Sequence, residues 1–561
     1  MKSLVFVLGV SLLAACGGGG GGGGGNNAPP PTNNTPPPPP PPPTAAEMDA
    51  AARLLDMATF GPTYQEIEAA AELGLDTWLD RQFAAPATLH VPIVNRHIQE
   101  FGFDINEEPF PGNYRRWAFW ESVLTGEDQL RQLVAYALTQ IFVISDNVDQ
   151  IVINPRATAS YYDVMSRNAF GNYRDLLRDV TLHAAMGIYL SHVNNGKSDP
   201  VANTFPDENY AREVMQLFSI GLFELNPDGS LVLDGANNPI PTYDNTDIRE
   251  FAKIFTGLSY GPASPGGDSF FGKQNAVFLV PMVMFDDFHE QGPKTLLNGM
   301  VVPAGQTGME DIEDAIDNLF NHPNVGPFIG KQLIQRLVGS NPSPAYIERI
   351  TNVFNDNGAG VRGDLGAVVR AILTDEEAAQ SIRLREPFRR YVALNKSLHA
   401  AGTDGTYPAN GFVAQFLTGQ HVLSAPSVFN FYLPVFSPAG PIKDAGLVSP
   451  EFQITDAATI VGMSNLVAYA LFSEQSIDSS EGFARIQPDL TEFSDLSSDP
   501  SAMVDRIDLV FFAGEMDDET RTLLTDAITE ASGSGDPELT AQIGLFLALT
   551  SPSQAVVGGE S

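Results

Sequence analysis

The chain has 561 residues, 31 basic against 68 acidic, for a net charge of −37. That length exceeds one ordinary core and implies two or more subdomains, while 43% apolar content is that of a globular protein. So acidic a surface repels nucleic acid and anionic headgroups. It suits cationic partners, a bound divalent metal, or plain solvation in a salty habitat.

Lys2 supplies a positive n-region, and residues 4–13 form an apolar stretch too short to span a bilayer comfortably. It runs into Leu13-Ala14-Ala15-Cys16, which resembles the lipobox of bacterial lipoproteins. The match is specific because Cys16 is the sole cysteine of the chain. The resemblance implies that residues 1–15 are a signal peptide, that Cys16 is lipidated and so carries the membrane contact, and, with Gly17 next, that the address is the outer membrane. A single cysteine also leaves no disulfide, so stability must come from packing. Residues 16–44 follow, nine glycines and then eight consecutive prolines at their core. Glycine gives a flexible coil and the prolines a stiff rod of about 25 Å. Neither buries a core, so this stretch is expected to be a disordered tether.

Helical patterning starts at residue 45. Ala52, Leu55 and Ala58 lead into the stop Phe60-Gly61-Pro62-Thr63. Thr63 caps a second helix closed by Gly74, and residues 76–83 form a third. Helices are expected over 114–124, 129–144, 161–170 and 173–182, the second of them buried. The densest stretch is 206–221. Pro206 and Asp207 open a helix, and Gly221 sits where a left-handed C-cap belongs. At roughly 100° per residue, Glu208, Asn209, Arg212, Glu213, Gln216 and Ser219 share one arc, and Tyr210, Ala211, Val214, Met215, Leu217 and Phe218 the other. The polar arc reads either as a solvated face with a Glu208–Arg212 pair or as the wall of a cleft.

Residues 223–233 read as a hairpin around Pro227-Asp228-Gly229. Thr246 is expected to cap the next helix, and 276–285 to be an extended apolar strand. Further helices are expected over 310–319, 325–338, 344–355, 365–374, 387–400, 454–472, 503–512, 519–531 and 538–549. The fold class is therefore mostly α: a multi-helix globular body with a minor β-hairpin or two behind a disordered tether. Its main domain would span 45–400, with a C-terminal helical region, 401–561, packed on it.

Two textual motifs fail on context. Gly257-Leu258-Ser259-Tyr260-Gly261 fits a nucleophile elbow but follows a helix instead of a strand. Gly358-Ala359-Gly360-Val361-Arg362-Gly363 fits a dinucleotide fingerprint but joins two helices. The eight histidines show no metal-ligand spacing, so no cofactor is evident, and a divalent metal cannot be read from the sequence. His289, Glu290 and Lys294 form the densest polar cluster. They are either a solvated turn or part of one cleft with Glu208, Arg212 and Glu213. There His289 would serve as general base and Arg212 would hold an anion. His183 reads as a buried structural histidine, and Phe429-Asn430-Phe431-Tyr432 as either core or the wall of a groove.

The opening residues 51–63, Ala169-Phe170-Gly171-Asn172-Tyr173, the 207–221 stretch, His289-Glu290-Gln291-Gly292-Pro293-Lys294 and Ser427-Val428-Phe429-Asn430-Phe431-Tyr432 resemble, in order, the bacterial domain-of-unknown-function 1800 family. The resemblance implies a secreted, largely helical protein with no agreed activity. It also implies a co-encoded, sulfatase-like partner of the domain-of-unknown-function 1501 family. Glu290 stands where many relatives have Asp. Two functions remain: a lipid-anchored envelope module that binds or assembles, or a hydrolase or metal-assisted enzyme using the His/Glu/Arg cluster.

Overall fold

Local capping chemistry sets most of the helix starts. In the computed structural model, which describes residues 41–102, 112–261, 278–402, 411–473 and 486–558, Thr44 and Thr63 each close a capping box with the glutamate three residues on, Glu47 and Glu66. Each box satisfies two N–H groups that a helix leaves open. Proline at the first helical position, where its missing N–H costs nothing, starts Pro344–Asn355, Pro387–Ser397 and Pro537–Thr550. Cys16 and most of the tether lie outside the described residues.

The described residues are mostly helical, with four two-stranded antiparallel pairs of two residues per strand. Those from Pro43 onward form one compact unit around a continuous apolar core. The C-terminal region is stitched to the rest: Arg383–Leu384 pairs with Val556–Val557, and Ala457–Phe472 packs on Pro387–Ser397 and Pro537–Thr550. No helix among the described residues is long and apolar enough to cross a membrane.

Several expectations shift. Asp244, not Thr246, caps the helix Asn245–Ile254, taking the N–H groups of Thr246 and Asp247. The strand expected over 276–285 shrinks to Val283–Met284, with 276 and 277 outside the described residues. It pairs with Leu258–Ser259, so the Ser259 hydroxyl is buried in a strand and donates to Asn194 at 2.6 Å. The hairpin around Gly229 forms as isolated bridges and continues into a third segment, through Leu225–Leu231 and Leu233–Pro239 pairings. Several helices go unanticipated, Ala184–Tyr189 and Gly411–Thr418 among them, the longest being His90–Phe101. Its first N–H groups are capped from afar by Asp163, at 2.6 and 3.2 Å from the His90 and Val91 nitrogens.

The central helix is shorter than its pattern suggests, Asn209–Gln216. Asp207 accepts from the Asn209 N–H at 2.8 Å. After Gln216 the backbone widens, and the N–H groups of Ile220 and Gly221 both reach the Met215 carbonyl. Gly221, at φ +74°, ends the turn as a left-handed cap does. The widening turns Ser219 inward, fully buried, away from the arc the periodicity gave it.

Candidate functional site

The sequence candidates separate into two groups. Glu208 and Arg212 make an i, i+4 pair at 3.5 Å, each side chain about two-fifths exposed. Glu213 points inward instead. Burial raises its pKa, with Arg212 opposing, and its Oε2 has no hydrogen-bond partner.

His289 and Lys294 are almost wholly buried around Asp311, a residue from the first turn of Gly308–Phe320. Lys294 Nζ donates to the Asp311 carboxylate and to the Glu290 carbonyl oxygen. His289 Nε2 stands 2.9 Å from Asp311 Oδ2, and Nδ1 stands 2.9 Å from the Thr256 carbonyl oxygen. Burial pushes the Asp311 pKa up, but His289 and Lys294 outweigh it and hold the carboxyl below its usual value. The Glu290 carboxylate turns away to accept from the Ser198 N–H at 2.8 Å. Among the described residues no hydrogen bond or ion pair joins this knot to Glu208, Arg212 or Glu213. The knot joins the Thr256 turn, the 289–294 segment and the start of Gly308–Phe320. His183 is likewise internal, accepting the Ala185 N–H at 3.1 Å.

What the structure does present is a groove of about 500 Å³ with largely apolar walls. One wall is the end of the central helix and the 222–231 hairpin, through Leu217, Leu222 and Phe223. A second is one face of Val325–Leu337, through Phe328, Lys331, Gln332, Gln335 and Arg336. A third is the loop 428–435, with Gln140 and Ile141 between. Asn324 locks the first wall to the second: its side-chain amide donates to the carbonyls of Ile220 and Phe223, both at 2.8 Å, and accepts from the Leu225 N–H at 2.9 Å. Asn430, left-handed at φ +65°, splits the aromatic run. Phe429 stays 47% exposed on the groove, while Phe431 and Tyr432 turn inward to 8% and 3%. The run is thus both wall and core.

Under this surface lies a polar network centred on Glu386. Its carboxylate accepts from Gln140 at 3.1 Å, Tyr136 at 2.6 Å, Gln420 at 3.0 Å and the Tyr432 hydroxyl. Burial, then the nearby carboxylates Glu386 and Glu451, raise the Tyr432 pKa, so the hydroxyl stays a donor. Burial lowers the Arg336 pKa, opposed by Tyr432, Glu386 and Glu451. Glu451 itself is pushed up to about 7, chiefly by burial. Among the described residues no three His, Cys, Asp or Glu side chains converge as a metal-ligand set.

The family whose description reads "Protein of unknown function (DUF1800)" matches residues 53–555, nearly the whole chain. The chain belongs to the DUF1800 family. No curated protein and no solved structure matches it. Membership in DUF1800 therefore brings no activity, and any functional reading of this DUF1800 chain rests on the site itself.

Proposed function

We propose that this protein is a binding or assembly module held at the cell envelope by lipid on Cys16, and that the groove bounded by Leu222, Phe328 and Phe429 is its working surface. The observation that carries the reading is the groove: its volume lies in the range of small-molecule sites, about 300–1,000 Å³, and its walls are fixed by Asn324 and the Glu386 network. Leu222, Phe223, Phe429 and Val435 are exposed at its mouth, a concentration of apolar surface that marks binding sites. The tether would give this surface reach from the membrane.

Two measurements test the two halves. Cys16→Ser should release the protein from the membrane fraction; retention there with unchanged mobility would remove the anchor. Titration with the uncharged apolar dye Nile red should saturate on the wild type and fail on Leu222→Glu, an exposed change expected to alter stability by no more than about 0.5 kcal/mol. Equal binding by both would remove the groove.

A further inference from the structure

The groove's charge is opposite to that of the molecule around it. The chain carries −37 overall, yet the groove is lined by two cations, Lys331 and Arg336, and by no carboxylate. Both stand on Val325–Leu337, where residues 328, 332 and 336 and residues 327, 331 and 335 follow the four-residue helical spacing that puts them on one face. Ile329, Leu333, Ile334 and Leu337 occupy the core side.

These polar groups also have unused capacity. Lys331 is half-buried, and among the described residues it makes no hydrogen bond or ion pair; burial alone lowers its pKa. Arg336, 6% exposed, gives Nη1 and Nη2 to the carbonyls of Gln332 and Gln140 at 3.4 and 3.0 Å and leaves Nε without a partner. Gln332 Nε2 and Gln335 Oε1 are also unpartnered, in residues 8% and 4% exposed. Buried polar atoms are ordinarily paired. Here a cation, a guanidinium N–H and an amide lie on one helix face beside apolar walls.

Resting on the groove as the binding surface, we infer that its ligand is a single-chain amphiphile with an anionic head. The head is met by Lys331, with the free donors of Gln332 and Arg336 beside it, and the apolar body lies along the walls of Leu222, Phe328 and Phe429. An ammonium or a neutral polar head would leave the Lys331 charge uncompensated, whereas a carboxylate takes charge-assisted hydrogen bonds from it.

The test is calorimetric titration of the full chain with three probes of one chain length: decanoate, 1-decanol and decyltrimethylammonium. Decanoate should bind roughly tenfold more tightly than decanol, one charge-assisted contact's worth, with the ammonium weakest. The decanoate advantage should shrink as salt is raised. In Lys331→Met decanoate should fall to the level of decanol, while Lys331→Arg keeps the preference. Decanol binding as tightly as decanoate, or the ammonium more tightly, would overturn the anionic ligand and leave the groove as a binding surface. If none of the three binds the wild type, the groove reading fails and this inference with it.

Discussion

Glu386 holds the floor of the groove, and its replacement should show this quantitatively. Its carboxylate accepts four hydrogen bonds, from Tyr136, Gln140, Gln420 and Tyr432, and the residue is 5% exposed. Leucine at this position leaves three buried donors, on Tyr136, Gln140 and Gln420, without an acceptor, each costing about 1–3 kcal/mol, while the Tyr432 hydroxyl keeps Gln140 Oε1 at 3.0 Å. It also removes a negative charge opposing the burial of Arg336. Some donors will find water through the groove, so the expected loss is about 3 kcal/mol or more. Glutamine offers a gentler comparison. Its amide can donate to the Tyr136 oxygen, and Gln420, whose Oε1 has no partner, can turn over to accept. The charge assistance and the acceptor of the Tyr136 hydroxyl are then lost, about 1–3 kcal/mol. Urea unfolding at pH 8, followed by circular dichroism and by intrinsic fluorescence, measures both, and coincident curves license the free energies. A Glu386→Leu loss below about 1 kcal/mol, or one no larger than that of Glu386→Gln, would refute the network.

Lys294→Met strands the buried Asp311 carboxylate and should cost about 3–5 kcal/mol in the same assay, whereas Arg212→Ala, an exposed pair, should stay within about 0.5 kcal/mol; similar losses would mean that the two groups are misassigned. Gly221→Ala meets Phe328 at 2.9 Å while at φ +74°, so it should lose about 1–3 kcal/mol and weaken dye binding together; unchanged binding would count against Phe328 as a wall. Burial lowers the pKa of His90 and His183 to about 3 and of His192 to about 4. Below their unfolded value of 6.5 the unfolded chain takes protons that the folded one refuses, so this stability is full above pH 6.5 and lost as pH falls toward 4. Glu451 and Asp163, lifted to about 7 and about 6, act oppositely, their contribution being present below the unfolded carboxyl values and lost as pH rises through the folded ones. These buried histidines, with His421 also held below its usual value by burial, predict a loss of stability on acidification from pH 6.5 to 4.5 that Glu451 and Asp163 offset in part, and His183→Asn should flatten it. A midpoint that rises on acidification would contradict these burials.

The fold was legible where its causes are local. Thr63 stands three residues before Glu66, and Gly74 ends its helix at positive φ as its position requires. It was illegible where the partner is remote: nothing near His90 announces a helix, because Asp163 supplies the cap. The candidate site divides in the same way. His289 and Lys294 do form a polar cluster, but the carboxylate that completes it is Asp311, and the cluster faces the core. The groove joins residues near 140, 216–231, 327–336 and 428–435, which no periodicity connects. One sign of it was present: Lys331, Gln332, Gln335 and Arg336 form a polar stripe on a helix whose other face is apolar, and apolar spacing alone passes over it.

The central claim is that the groove is where this protein binds. Photolabelling the native full-length chain with a diazirine-bearing alkyl carboxylate, followed by peptide mapping, tests it most directly. The account predicts label concentrated in residues 216–231, 327–336 and 428–435, and suppressed by excess decanoate. Label spread over other exposed apolar residues, such as Ile460, Val461 and Leu523, and indifferent to decanoate, would contradict it.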